Sequence, residues 1–309
     1  MYCTEKTAIL LATYNGEKYI SEQIDSILKQ TDKDWMLYIH DDGSKDKTVN
    51  IIETYAKNYP EQICVVGGAA TGGAKQNFFY LFSQVEAPYY MCCDQDDVWL
   101  PEKIEMTKRE MHYLEKKDEQ LPCLVFTELK VVDEDLNVLS EKMSEYQGLD
   151  CKILSINRAL IQNVTTGCTM MVNRSMREEL QKIKDYTNVL MHDWWIMLVA
   201  TRFGKVSFIN EGTILYRQHE DNGVGARNSN SLLYMLERLL QGNEIKTSLE
   251  NTRRQASCFA ELYNESDDSL IQRYAQLGRK GKLERLFFYK KNDVKKSTWS
   301  KNAGLVIWG

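Results

Sequence analysis

Residues 91–101 read MCCDQDDVWLP. An apolar run, Tyr89 to Cys93, breaks off at three carboxylates, Asp94, Asp96 and Asp97. Such a run reads as a buried strand that delivers its acids to the edge of a sheet. In an open α/β sheet, ligands bind just beyond the carboxyl ends of the strands. Acids this close repel one another unless a cation neutralises them. Oxygen ligands suit Mg²⁺ or Mn²⁺, which commonly bridge carboxylates to substrate phosphates. A solvated acidic turn capping a helix from Pro101 is the plainer reading of the same residues.

Upstream, TAILLAT (7–13) is apolar without alternation, as in a strand covered on both faces. It ends in TYNGE, and a helix follows with Ile20, Ile24, Ile27 and Leu28 on one face. DWMLYIH (34–40) is a second strand ending in DDGSKD, where Ser44 or Asp46 can cap the next helix. QICVVGG, the glycine-led GGAKQNFFYLFSQV and APYYMCCDQDD complete an alternation of strand and helix, so this half is α/β with a parallel sheet. Three strands end in polar clusters, TYN, DDGS and DQDD, and parallel strands put all three on one rim. No GxGxxG follows the first strand, and GGAATGG lacks the lysine of a P-loop. Asp41 and Asp42 can accept hydrogen bonds from a ribose or base, or cap a loop. Tyr14 can stack on a base or join the core.

Further on, LPCLVFTELKVVD (121–133), VTTGCTMMVN (164–173) and a stretch from about 205 to 216 read as strands. Gly167 permits close backbone approach by a ligand. The helix MHDWWIMLVATRF opens with His192 and Asp193, and a carboxylate there is held as the anion by backbone N–H groups. Asp193 is either a functional acid or an N-cap; His219 is either a ligand or structural. From Asn230 onward the pattern is helical.

Charge is unevenly spread. Between Arg273 and Lys301 ten Lys or Arg face two acids, a local +8, so the remainder of a chain of net −5 carries about −13. An acidic body with a basic, aromatic tail suits an anionic membrane surface, or a tail folded back on the body, better than nucleic acid. The N-terminus is not a signal peptide, and no uninterrupted apolar run reaches the ~18 residues of a membrane span. Eight cysteines without a CxxC pair point to a reducing, cytoplasmic setting.

Taken in order, ILLATYNGEKYI, HDDGSKDKT, GGAKQNFF, CDQDDVWLPEK, TTGCTMM, MHDWW and LYRQHEDNGVGA resemble family 2 glycosyltransferases of the GT-A fold, in particular bacterial rhamnosyltransferases of cell-surface polysaccharide assembly. The resemblance runs from about Thr7 to Arg227. It implies a mixed, mostly parallel sheet flanked by helices, with a nucleotide-binding half (about 1–100), an acceptor-binding half (101–227) and a helical, basic C-terminal extension (228–309). By the same resemblance Thr13, Tyr14, Asn15, Glu17, Asp41, Asp42, Gly73, Asn77, Asp94 and Gln95 meet the donor nucleotide. Asp94, Asp96 and His219 hold the divalent metal, and Asp193 is the catalytic base. Asp97, Trp99, Gly167, Cys168, His192 and Trp194 line the sugar or acceptor pocket. Ahead of Gly73 the chain reads Thr-Gly-Gly where many relatives have Asn-Leu-Gly.

The expected activity is inverting, metal-dependent transfer of a sugar, L-rhamnose from dTDP-rhamnose being favoured. The acceptor is a hydroxyl of a growing, lipid-linked surface glycan at the inner face of the cell membrane. Transfer of another sugar from a UDP-sugar, a nucleotide-sugar binding module without turnover, and nucleotidyl transfer are the rivals.

Overall fold

A computed structural model describes residues 1–116, 118–219 and 242–309. Strand and helix alternate as the periodicity requires. After a short β1 (Tyr2–Cys3) come β2 (Thr7–Thr13), α1 (Ile20–Leu28), β3 (Trp35–Asp41), α2 (Thr48–Asn58), β4 (Ile63–Val65), α3 (Ala74–Gln84), β5 (Val85–Glu86) and β6 (Tyr89–Cys93). Then follow β7 (Val98–Trp99), α4 (Lys103–Glu115), β8 (Cys123–Val132), β9 (Val138–Ser140), α5 (Met143–Gln147), α6 (Ile156–Ala159), β10 (Met170–Asn173), α7 (Arg174–Leu180), α8 (His192–Phe203) and β11 (Lys205–Arg217).

The main sheet has the order β4-β3-β2-β6-β10-β8-β11-β7, with β9 on β8. The strands β4, β3, β2 and β6 are mutually parallel. β10 runs antiparallel between β6 and β8, β11 is parallel to β8, and β7 is antiparallel to β11. The sheet is therefore mixed. Thr13 sits opposite Asp41 and Leu11 opposite Cys93, so the three polar strand ends leave the sheet along one rim. The chain leaves β2 toward β3 and β4 and returns on its other side as β6, so the crevice between β2 and β6 is a topological switch point.

Two local expectations shift. The strand foreseen at 164–173 is reduced to Met170–Asn173, behind a 3₁₀ turn at Gly167–Thr169. Asn163 accepts from the Thr165 backbone and hydroxyl, and Thr169 donates back to the Thr166 carbonyl, so local bonds replace a ladder. Asp46 caps from one position further out than expected: Lys47 is the N-cap residue of α2, while Asp46 accepts from the Thr48 N–H at 2.9 Å and the Glu17 N–H at 3.0 Å.

The extension continues as α9 (Gly242–Leu262), α10 (Leu270–Ala275), α11 (Lys282–Lys291) and α12 (Trp299–Trp308). The boundary placed at 227, the EDNGVGA end of the last motif and the SLLYMLERLLQ helix lie outside the described residues. On one face of the sheet Phe78, Phe82 and Trp195 share a core with Phe259, Tyr274 and Leu305 of the extension. The Trp195 and Phe259 rings are 5.2 Å apart, and the Leu190 N–H donates to Gln255 Oε1 at 2.8 Å. The other face is closed by Ile9, Leu11, Ile24, Trp35 and Ile104. No helix among the described residues is long and apolar enough to cross a membrane.

Because Phe259 is fully buried against α8, truncating it should destabilise the entire fold. Phe259→Ala is expected to cost about 3–5 kcal/mol. Urea unfolding should remain a single transition that moves to lower denaturant. A separate early transition for the extension, with the body unchanged, would contradict the shared core.

Candidate active site

β6 is buried from Tyr90 to Cys93 and stops at Asp94, where the sheet ends. The chain turns through Gln95, Asp96 and Asp97 into β7, whose pairing with Ile214 and Leu215 brings the end of β11 against the turn. His219 Nε2 lies 2.9 Å from Asp96 Oδ2. The buried Arg217 makes this junction rigid. Its backbone N–H donates to Asp97 Oδ1 at 3.2 Å and its Nε to the Asp96 carbonyl at 2.9 Å. Its remaining guanidinium nitrogens reach the Glu134 carbonyl and the Glu22 carboxylate, and the group stacks 4.5 Å from the Tyr19 ring.

Asp94, Asp97 and Cys168 bring their ligand atoms within 4.8 Å of one another. Burial, with the nearby charges of Asp96 and Asp193, lifts the Asp94 carboxyl to about 7. Burial, then Asp96 and Asp94, pushes Asp97 well above the carboxylate range. Burial also pushes the Cys168 thiol far up, so it stays protonated and donates to these carboxyls. A protonated thiol is no ligand for a hard cation; of the expected donors, His219 meets Asp96, while among the described residues Asp94 groups with Asp97 and Cys168 instead. Beneath them the Lys103 ammonium is fully buried, 4.7 Å from the Trp99 ring and without a hydrogen-bond acceptor. Burial lowers it to about 8, against the pull of Cys168, Cys93 and Asp97.

The residues expected on the donor side line the rim. Gln95 binds the Tyr14 backbone twice, N–H to Oε1 and Nε2–H to carbonyl, each at 2.9 Å, which clips the β2 end to the acid turn. Tyr14 is left 55% exposed, so it is not core. Asn15 holds Lys45 and Ser44, Glu17 accepts from the Lys47 N–H, and the buried Thr13 hydroxyl donates to Asp41 at 3.0 Å. Asp41 also accepts from the Gly43 and Ser44 N–H groups. Asp42 grips the loop ahead of α3 through the N–H groups of Thr71, Gly72 and Gly73. Burial opposes its charge, but these bonds prevail and hold it below the usual carboxylate range. Gly73 adopts φ +136°, which side chains resist, so the loop depends on glycine there. Asn77 departs from its expected place. Its amide turns inward, bonded to His40 Nδ1 at 2.8 Å and the His40 carbonyl at 3.1 Å.

Across the crevice, Asp193 occupies the first turn of α8. The N-cap residue is Met191, so Asp193 is not the cap. Its carboxylate accepts from the Trp194 N–H at 2.6 Å, and the Asn163 side chain and the Gly167 N–H also support it. Burial nonetheless raises it to about 6. Gly167 is needed for an internal reason: a Cβ there would lie 2.7 Å from His192 Nε2. His192, Cys168, Trp99 and Asp97 are all buried, so they form the floor and back wall, not an open pocket lining. Burial keeps His192 neutral, lowered to about 3, against the Phe78 ring at 4.2 Å. Trp194 is half-buried, its indole N–H bonded to the Ala159 carbonyl at 2.6 Å.

This rim of acids, loops and a facing carboxylate has counterparts. The family model for glycosyl transferase family 2 matches residues 8–180. The chain belongs to that family. It is 32% identical over 228 residues to the dTDP-rhamnosyl transferase RfbG of Shigella flexneri, covering 70% of this chain and 74% of that one. Among solved structures it is similar to S. aureus TarS 1–349 in complex with UDP-GlcNAc, with TM-score 0.54 and 16% identity over 93% of this chain and 79% of that one. It is also similar to the mannosyltransferase PcManGT from Pyrobaculum calidifontis in complex with GDP-Man and Mn²⁺, with TM-score 0.52 and 14% identity over 97% of this chain and 85% of that one. The fold is GT-A.

Three residues of this family 2 glycosyltransferase escaped sequence reasoning. Arg217 sits inside LYRQH, where its strand-end position next to His219 is the only signal. Lys103 stands in VWLPEK, where a charged residue opening a helix reads as surface. Asn163 precedes two threonines in an ordinary loop. Their roles arise from long-range packing.

The raised Asp94 carboxyl has a consequence for stability. Its charge costs the folded state, so its penalty is absent below the unfolded value near 4 and grows until pH passes about 7. With divalent ions chelated, Asp94→Asn should raise the melting temperature at pH 8 by roughly 2–4 °C and leave it unchanged at pH 4. A drop at pH 8 would show that the carboxylate is well compensated in the protein itself.

Proposed function

We propose that this glycosyltransferase is an inverting, divalent-metal-dependent enzyme that moves L-rhamnose from dTDP-rhamnose to a hydroxyl of a growing, lipid-linked cell-surface glycan, working in the cytoplasm at the membrane's inner face. The observation that carries the reaction is the acid turn that holds Asp94, Asp96 and Asp97, with His219 on Asp96, facing Asp193, which lies close enough to raise the Asp94 carboxyl. The donor sugar rests on the similarity to RfbG.

The residues fit a divalent cation: Asp94 and Asp97 hold protons against their nature, an imidazole stands beside Asp96, and the nearby buried Lys103 ammonium makes no hydrogen bond to them. Asp94, Asp96 and His219 would hold Mg²⁺ or Mn²⁺, which when bound neutralises charge growing on a departing diphosphate. The rest is the chain's own work. Tyr14, exposed between β2 and β6, offers a face for the nucleobase, while the loops gripped by Asp41 and Asp42 border the nucleoside. Asp193 accepts the acceptor hydroxyl proton as the new C–O bond forms and the bond to the diphosphate breaks. A single displacement inverts the anomeric carbon. Burial makes Asp193 a stronger base than an exposed carboxylate, yet at about 6 it is still mostly ionised at neutral pH.

Asp193→Asn should lower turnover by roughly 10²- to 10⁴-fold while melting temperature and nucleoside-diphosphate affinity stay near wild type. The base works deprotonated, so wild-type kcat/KM should rise with pH through about 6 and then level. A folded variant transferring sugar at the wild-type rate refutes the assignment. Separately, calorimetric titration of nucleoside diphosphate should show affinity lost on adding EDTA and restored by Mn²⁺; identical affinity in both would remove the metal from the scheme.

A further inference from the structure

The C-terminal helices bury one side and leave the other apolar. On α11, Leu283 and Phe287, one helical turn apart, are 83% and 67% exposed. On α12, Trp299 is 85% exposed, and Val306 and Ile307 at the far end are exposed as well. Lys282 Nζ donates to the Ile307 carbonyl at 2.9 Å, joining the first turn of α11 to the last turn of α12. A groove beside α11 is lined by Arg273, Lys280, Leu283, Phe287 and Lys291. Arg279, Lys290 and Lys295 are also exposed. The two acids of the region are engaged locally, Glu284 by the Gly281 N–H at 3.0 Å and Asp293 by Lys295 at 2.5 Å. Two other lysines point inward: Lys296 is buried, and the buried Lys301 donates to the Gln147 and Gly148 carbonyls.

The base of this platform is stitched to the catalytic side. Asn157 Nδ2 donates to the Asn292 carbonyl at 2.5 Å, and Arg158 to the Lys295 and Lys296 carbonyls at 3.2 Å. The Ser297 N–H donates to Gln162 Oε1 at 2.7 Å. The next residue, Asn163, supports the Asp193 carboxylate. A short chain of bonds therefore links the exposed helices to the acceptor side of the crevice.

We propose that α11 and α12 form a docking face for an anionic lipid bilayer, and that docking holds the Asp193 side of the crevice at the lipid surface. Large apolar side chains ringed by cations match the acyl boundary and the charged headgroups of such a surface together. The acidic remainder of the chain is repelled by the same surface, which orients the protein. The role in presenting acceptor rests on the lipid-linked reading above; the docking itself does not.

The test uses the full chain with phosphatidylcholine vesicles and with mixed phosphatidylcholine–phosphatidylglycerol vesicles. Wild type should co-sediment with the mixed vesicles only, and less so as salt rises. The double variants Leu283→Ser/Phe287→Ser and Lys280→Glu/Lys291→Glu should each bind about tenfold more weakly or worse, with unchanged melting temperature and nucleoside-diphosphate affinity. Variants that bind like wild type, equal binding to neutral vesicles, or an apolar face that instead seals a dimer of this chain in solution would each overturn the proposal. Vesicle binding by a wild type that cleaves no nucleotide sugar would leave the docking face standing and sink the transferase reading.

Discussion

Mutual repulsion among carboxylates is the constraint around which this molecule is arranged. Asp94, Asp96 and Asp97 leave one strand end together, and α8 brings Asp193 toward them. Such a group is unstable in isolation, and the fold answers with short-range compensation of several kinds. The Arg217 guanidinium binds the turn's carbonyl, the protonated Cys168 thiol donates to the acids, and the Trp194 N–H and Asn163 amide serve Asp193. The compensation is incomplete, and the Asp94, Asp97 and Asp193 carboxyls retain elevated proton affinity. A site that binds a cation tightly must leave some of this repulsion unrelieved, because repulsion fully cancelled by protein groups would leave nothing for the cation to gain.

Much of this was legible in the chain. The apolar runs at Thr7–Thr13 and Tyr89–Cys93 have no alternation because both faces of the sheet are covered, and that alone identifies central parallel strands. Polar clusters at three successive strand ends then had to share a rim. The position of Asp193 opposite the acid turn was not derivable from local pattern; it depended on an antiparallel β10 inserted between β6 and β8. The misplaced details share one cause. Asn77, Trp99 and Cys168 are polar or amphipathic residues beside functional motifs, and sequence alone does not tell a wall from its supports. Asn77 serves His40 and Lys103 sits beneath Trp99, contacts between residues far apart in the chain or on opposite sides of a turn.

The rim itself is held by side chains acting on backbone. Gln95 on Tyr14, Asp42 on residues 71–73, Asp46 on Glu17 and Ser44 on Asn15 are all bonds of this type. They fix loop shape without filling the crevice, so the donor side is preorganised while the exposed Tyr14 ring remains available. This explains why several residues of the motifs do architectural work even where their neighbours face a ligand.

The core shared between α8 and the C-terminal helices limits how this enzyme can be recombined with its relatives. A crossover placed at the end of the family match, after residue 180, would separate Phe78 from the His192 ring it packs against and Asn163 from the α8 carboxylate it supports. A cut before the loop at 157–163 is no better, because β10 lies between β6 and β8 and Arg217 binds the acid turn. The sheet, α8 and the C-terminal helices are therefore expected to be inherited as one block among natural variants of this chain.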